Sequence, residues 1–238
     1  MAEKKITDRD LGTITLRWGT RYKRITLKIV RGELIGTMPS LRDEPRIMGF
    51  IEENRLKLTE KLQQTPPPAI IDENTDLQTA SFRLSILREE RKDIALALQN
   101  GLLTLRFPAH IDMAQPPIQQ QIREILKNIF RREAKRLLPI RLSLLAGQHG
   151  FTYNNLRITS SHTRWGSCSS AKNINLSLYL MQLPWHLIDY VLLHELCHTR
   201  EMNHSPRFWA LMDSVTDNKA KALRAELKKH SIYYPAER

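Results

Sequence analysis

The sequence is poor in cysteine: Cys168 and Cys197 are the only two in 238 residues, and they lie far apart. That excludes a disulfide scaffold and any CxxC redox or zinc pair, and it fits a reducing compartment. No run approaches the roughly 18 apolar residues that cross a bilayer, so no membrane partner is expected. The start, Met1-Ala2-Glu3-Lys4-Lys5-Ile6-Thr7-Asp8, lacks the apolar core of a secretory leader, which points to the cytoplasm. Acidic residues are in deficit, with 25 Asp+Glu against 37 Lys+Arg and a formal net charge of +12. Aromatics make up only 7% and do not interleave with the basic runs, which excludes a stacking platform for single-stranded nucleic acid. Zinc-finger, P-loop and Rossmann glycine patterns are absent too, so sequence-specific DNA reading has no support. What is present is the composition of a folded globular chain, 41% hydrophobic and 26% charged.

A spaced pattern recurs in the first half. Ile25-x-Leu27 leads to Gly32 and Pro39, and Ile94-x-Leu96 leads to Gly101 and Pro108, in seven-residue steps both times. Each reads as a β-hairpin around a glycine turn. A segment of helical period follows each hairpin: Ile47, Phe50, Ile51 and Leu56, then Ile118, Ile122, Ile125, Leu126 and Ile129. The repeat unit is therefore β-β-α. Between the units, Pro66-Pro67-Pro68 forbids helix and reads as a linker. The second helix runs on through Phe130, Ala134, Leu138 and Leu142, with a kink or break expected at Pro139. Strands are expected over 151–158 and 174–179, and helices from Pro184, from Ser205-Pro206 and over 218–230.

Chemistry concentrates in His194-Glu195-Leu196-Cys197-His198. Histidines four positions apart project about 40° from one another on a helix, close enough to share one metal ion. Neutral imidazoles bind zinc, and the carboxylate between them takes a proton from water at the metal. A third ligand is needed. His204 follows after a stretch in which Asn203 could adopt a left-handed turn and bring the chain back. The apolar approach Tyr190-Val191-Leu192-Leu193 and the capped helix after His204 favour a buried zinc site. The rival reading is a helix whose histidines are simply hydrogen-bonded.

The spacing of His194, His198 and His204 is that of metzincin proteases, although Glu201 stands where their pattern has glycine. The longer strings match another group. Arg164-Trp165-Gly166-Ser167-Cys168-Ser169, Ile174-Asn175-Leu176-Ser177, Asp189 through His198 and Asn203-His204-Ser205-Pro206-Arg207-Phe208-Trp209 resemble the YgjP-like metallopeptidases, relatives of the SprT-like and WLM zinc proteases. The resemblance implies zinc on His194, His198 and His204, Glu195 as catalytic base, and a protein or peptide substrate. The expected fold is α+β, a zincin-like C-terminal domain with the HExxH helix preceded by two β-β-α units. Its expected division is 1–65 for the first unit, 66–116 for the linker and second hairpin, and 117–238 for the metal-binding domain.

Other residues carry weaker expectations. Arg164 could hold a substrate carboxylate, oxyanion or phosphate, or pair with Asp189 or Glu201. Tyr190, one turn before His194, could donate to an oxyanion, and Glu201 or Asp213 could orient a ligand histidine. Trp165, Cys168 and Cys197 read as packing residues. Two further functions stay open: a metal-dependent nucleoside triphosphate pyrophosphatase, favoured by the positive charge, and a DNA-associated zinc protein or protease. The basic surface suits non-specific nucleic acid or nucleotide as a partner, and oligomeric state is not encoded in any feature read here.

Overall fold

The period-two stretches become strands in the computed structural model, which describes residues 2–30, 32–63, 70–230 and 232. Among the described residues three sheets and six α-helices make a mixed α+β fold, and the chain divides into two units, Met1–Ala69 and Ile70–Arg238. The triple-proline linker, with the boundary expected between 65 and 66, lies outside the described residues. Among the described residues no helix is long and apolar enough to cross a membrane.

The first unit holds β1 (Ala2–Asp8), β2 (Gly12–Trp18), β3 (Thr26–Val30) and β4 (Glu33–Met38) in the order β1-β2-β4-β3. The expected hairpin is β3-β4, but β2 runs parallel beside it and β1 adds an antiparallel edge, so β-β-α is too short a description. β1 escaped notice because it is an edge strand whose charged residues lie in solvent. Ile14, Leu16, Leu34 and Met38 on one sheet face pack with Ile47 and Ile51 of α1 (Glu44–Glu53), all fully buried. Phe50 and Leu56, assigned to the same apolar stripe, are instead 50% and 82% exposed. The stripe stops because the helix does: Asn54 ends α1, and Leu56 belongs to α2 (Arg55–Gln63). Arg55 ties α2 to the end of β1 through a two-pronged bond to Asp8, at 2.9 Å to each oxygen.

In the second unit β5 (Arg83–Glu89), β6 (Ala95–Gln99) and β7 (Leu102–Pro108) form a sheet ordered β5-β7-β6. Again the hairpin is as expected, and again a parallel strand, β5, was missed beside it. Next comes α3 (Pro116–Gln148), continuous through Pro139 where a break was expected. An interior proline costs about 3 kcal/mol in isolation. Leu138 and Leu142, fully buried on either side of it, anchor both halves in one core. A third sheet, β8 (Asn155–Thr159), β9 (Gly166–Cys168) and β10 (Asn173–Ser177), has the order β8-β10-β9. A 3-10 turn at Leu178–Gln182 leads to α4 (Trp185–Cys197), α5 (Pro206–Val215) and α6 (Ala220–Leu227). The last helix is shorter than 218–230, because Asp217 and Asn218 take φ values of 50° and 60° and belong to the turn before it.

Candidate metal centre

Apolar residues surround α4 on nearly every side: Leu187, Ile188, Leu192 and Leu196 are fully buried, which places the helix inside the core. Arg141 of α3 donates through two nitrogens to the Asp189 carboxylate and fixes the helix from one side. Asp189 is thus engaged by Arg141 and not by Arg164. At the far end, Arg200 donates to the Gly150 carbonyl and lies 4.4 Å over the Phe151 ring, holding the exit of α4 against the end of α3. His194 and His198, four residues apart, form a polar stripe on this helix.

The chain returns to that stripe. After α4 stops, Glu201 N–H donates to the Cys197 carbonyl at 2.9 Å, and the Ser205 hydroxyl accepts from Phe208 N–H to begin α5. The reversal does not use a left-handed residue at Asn203: the non-glycine residues at positive φ are Asn100, Lys172, Asp217 and Asn218 among the described residues. His204 Nε2 comes to 3.1 Å from His194 Nε2, and His198 Nε2 to 3.2 Å from the same atom. Ligands held at about 2.0–2.1 Å from a tetrahedral zinc would stand about 3.3–3.4 Å apart. Both distances from His194 Nε2 lie close to that spacing, and the three histidines, with ligand atoms within 4.8 Å of one another, form a group that could hold a metal ion.

Protonation fits as well. His198 Nδ1 donates to the Glu201 carbonyl at 3.0 Å, which leaves the lone pair of a neutral ring on Nε2, facing the cluster. The backbone oxygen of Glu201 makes this contact, not its carboxylate as expected, and no hydrogen bond joins Asp213 to a histidine among the described residues. Burial, and then the neighbouring His198 and His204, hold His194 down at about 3, and burial lowers His198. Both rings are therefore neutral and need lose no proton to bind a metal. Phe208, fully buried, lies against all three imidazoles with centroid distances of 5.0, 4.6 and 4.8 Å. Phe208 stands four residues after His204, a spacing that was the available signal that it walls the histidines.

Glu195 is 5% exposed, and its Oε2 has no hydrogen-bond partner among the described residues. Burial pushes its carboxyl up to about 8. A cation brought to the neighbouring histidines would draw that value back down. β9 runs against this side chain: a Cβ at Gly166 would stand 2.6 Å from Oε1 and 2.9 Å from the carboxyl carbon. Only glycine lets the strand approach so closely. Arg164 and Trp165 lead directly into this edge strand.

A cavity of about 320 Å³ opens beside the histidines. Trp165 and Gly166 line it from β9 and its approach, and Tyr190, Val191, His194 and Glu195 line it from α4. Its remaining wall is α6 and the residues just after: Arg224, Leu227, Lys228 and His230. Tyr190 is 3% exposed, its ring 6.1 Å from that of His194, and burial raises its hydroxyl pKa. Arg164 is exposed, makes no ion pair among the described residues and is not in the cavity lining. Sequence reading missed Arg224, whose guanidinium lies 4.9 Å over the Trp209 ring, itself stacked on His204 at 5.9 Å. Cys197 is fully buried, with burial pushing its thiol up to about 12, and Cys168 is half-buried on β9 with its thiol raised for the same reason.

Three imidazoles converging beside a buried carboxyl are the donor set of a metal-binding protein. The family model described as "YgjP-like, metallopeptidase domain" matches residues 23–230, and the chain belongs to this family. A solved structure, the metallopeptidase zymogen abylysin of Pyrococcus abyssi, is similar over 39% of this chain and 93% of its own, with 21% identity and a TM-score of 0.36. No curated protein matches the sequence.

Proposed function

We propose that the protein is a zinc-dependent peptidase, zincin-like in its metal-bearing region, with His194, His198 and His204 as ligands and Glu195 as catalytic base. The observation that carries this reading is the approach of the His198 and His204 Nε2 atoms to 3.2 and 3.1 Å from His194 Nε2, beside a buried carboxyl that has an unpartnered oxygen. Bound zinc supplies Lewis acidity, polarising the scissile carbonyl and lowering the pKa of water towards ~7. His194, His198 and His204 would hold the metal as three protein ligands, the number that characterises catalytic zinc sites. Glu195 accepts the proton of the attacking water and returns it to the leaving amine. Gly166 lets that carboxyl stand against β9, and the surrounding apolar residues restrict its movement. Tyr190 offers a hydroxyl to the developing oxyanion. Family membership in a metallopeptidase domain supports peptide as the substrate class.

The test compares wild type with Glu195→Gln on a quenched-fluorescent peptide library, with zinc measured by plasma mass spectrometry. Both proteins should carry one zinc, and the variant should lose roughly 10²- to 10⁴-fold in hydrolysis. Chelation should stop the wild type and added zinc should restore it. Undiminished hydrolysis by the variant would contradict the role given to Glu195.

A further inference from the structure

The cavity beside the histidines has an uneven charge distribution. Arg224 on α6 and Lys228, which caps its C-terminal end, are one helical turn apart and both line it, with Leu227 between them. Neither cation is in an ion pair among the described residues. The acidic residue of this helix, Glu226, is turned to His186 at 2.7 Å, away from the cavity lining. Arg224 is also held in place: its guanidinium rests on Trp209, which in turn packs on the His204 and Phe208 rings. Away from α6, Val191 and Trp165 give the cavity apolar surface beside Tyr190, His194 and the buried Glu195 carboxyl. A pocket with two cations at one side, neither in an ion pair, and apolar surface from Val191, Trp165 and Leu227 suits an anionic group carried on a short apolar stem.

We propose that this cavity selects peptides by a carboxylate, bound by Arg224 and Lys228 next to the reacting bond. The proposal rests on the peptidase reading and adds the substrate class to it. A carboxylate reaches such a pocket either on an acidic side chain or at a peptide C-terminus. Arg224 and Lys228 both carry donors for carboxylate oxygens, and a cavity of about 320 Å³ is at the lower end of the range of small-ligand pockets. Lys221 lies on the same helix, exposed and outside the cavity lining, and provides the control.

The experiment uses zinc-loaded full-length protein carrying Glu195→Gln, which stops turnover; because Glu195 lines the same cavity, every peptide pair and every further variant is compared within this one background. Dye-labelled Gly-Gly-Glu-Gly-Gly amide and its glutamine counterpart are titrated by fluorescence anisotropy, beside pentaglycine with a free or an amidated C-terminus. At least one carboxylate peptide should bind roughly five- to tenfold tighter than its neutral partner, and the pair showing the preference names the source. Arg224→Gln and Lys228→Gln should each weaken the preference and together remove it. Lys221→Gln should leave it intact. Equal affinity within both pairs would overturn the proposal, as would an equal loss with Lys221→Gln, which would mean diffuse surface charge. Tighter binding of inorganic tripolyphosphate through the same two residues would also overturn it and make the pocket a phosphate site. Because binding is read without turnover, a failure of wild-type peptide hydrolysis counts against the peptidase reading alone.

Discussion

In the first unit β2 runs parallel to β4 and β3 antiparallel to it; beside the histidines β8 runs parallel to β10 and β9 antiparallel to it. β5, β7 and β6 repeat the arrangement a third time. In the first and third sheets a glycine strand lies hard against a helix. A Cβ at Gly36 would stand 2.5 Å from Ile47 of α1, and one at Gly166 would stand 2.6 Å from Glu195 of α4. The backbone device is therefore shared, and its contents differ. Against Gly36 sits an isoleucine that fills a core; against Gly166 sits a carboxyl beside three imidazoles. Topology supplies a strand packed on a helix, and the side chain placed at that contact decides between stability and chemistry.

Substitution at the two glycines tests this directly. Gly166→Ala should displace the Glu195 carboxyl and lower peptide hydrolysis by roughly 10- to 100-fold while zinc content stays at one per chain, since misplacement near 1 Å has effects of that size. Gly36→Ala should overpack the first core and cost about 1–3 kcal/mol in denaturant unfolding, with hydrolysis unchanged in the folded protein. A loss of hydrolysis with Gly36→Ala, or none with Gly166→Ala, would break the comparison.

A smaller effect distinguishes the polar contact by pH. His194 is held at about 3 in the fold, below its ordinary 6.5, so its share of stability is complete above 6.5 and is lost as pH falls towards 3. Glu195 is raised to about 8 from 4.5, so its share is complete below 4.5 and is lost as pH rises towards 8. Chelated protein should accordingly have its highest Tm between about pH 4.5 and 6.5 and a lower one at about pH 8. Glu195→Gln should remove the alkaline decline. An equal decline in the variant would place its origin elsewhere. The first unit has the opposite polarity only. Arg55 holds the Asp8 carboxyl well below the usual range, so that contribution is present above ordinary carboxylate pKa values and is lost at low pH.

Sequence patterns reached the elements whose cause is local. The apolar approach to His194, the Ser205-Pro206 start of α5 and both glycine hairpins depend on neighbouring residues, and all are present. What escaped depends on distant partners. β9 is three residues, Gly-Ser-Cys, too short for alternation to register, and it matters because α4 lies against it. Arg224 and Lys228 belong to a basic helix that reads as solvated until its packing brings one face to the cavity. The helix through Pro139 likewise persists because of buried leucines contacted from elsewhere in the chain.

The central claim is that three imidazoles and no sulfur hold zinc with one position left for water beside Glu195. X-ray absorption at the zinc edge on the zinc-loaded protein measures this most directly. The account predicts three nitrogen scatterers and one oxygen at about 2.0–2.1 Å. A sulfur scatterer at about 2.3 Å, from Cys168 or Cys197, or a closed set of four protein ligands would contradict it.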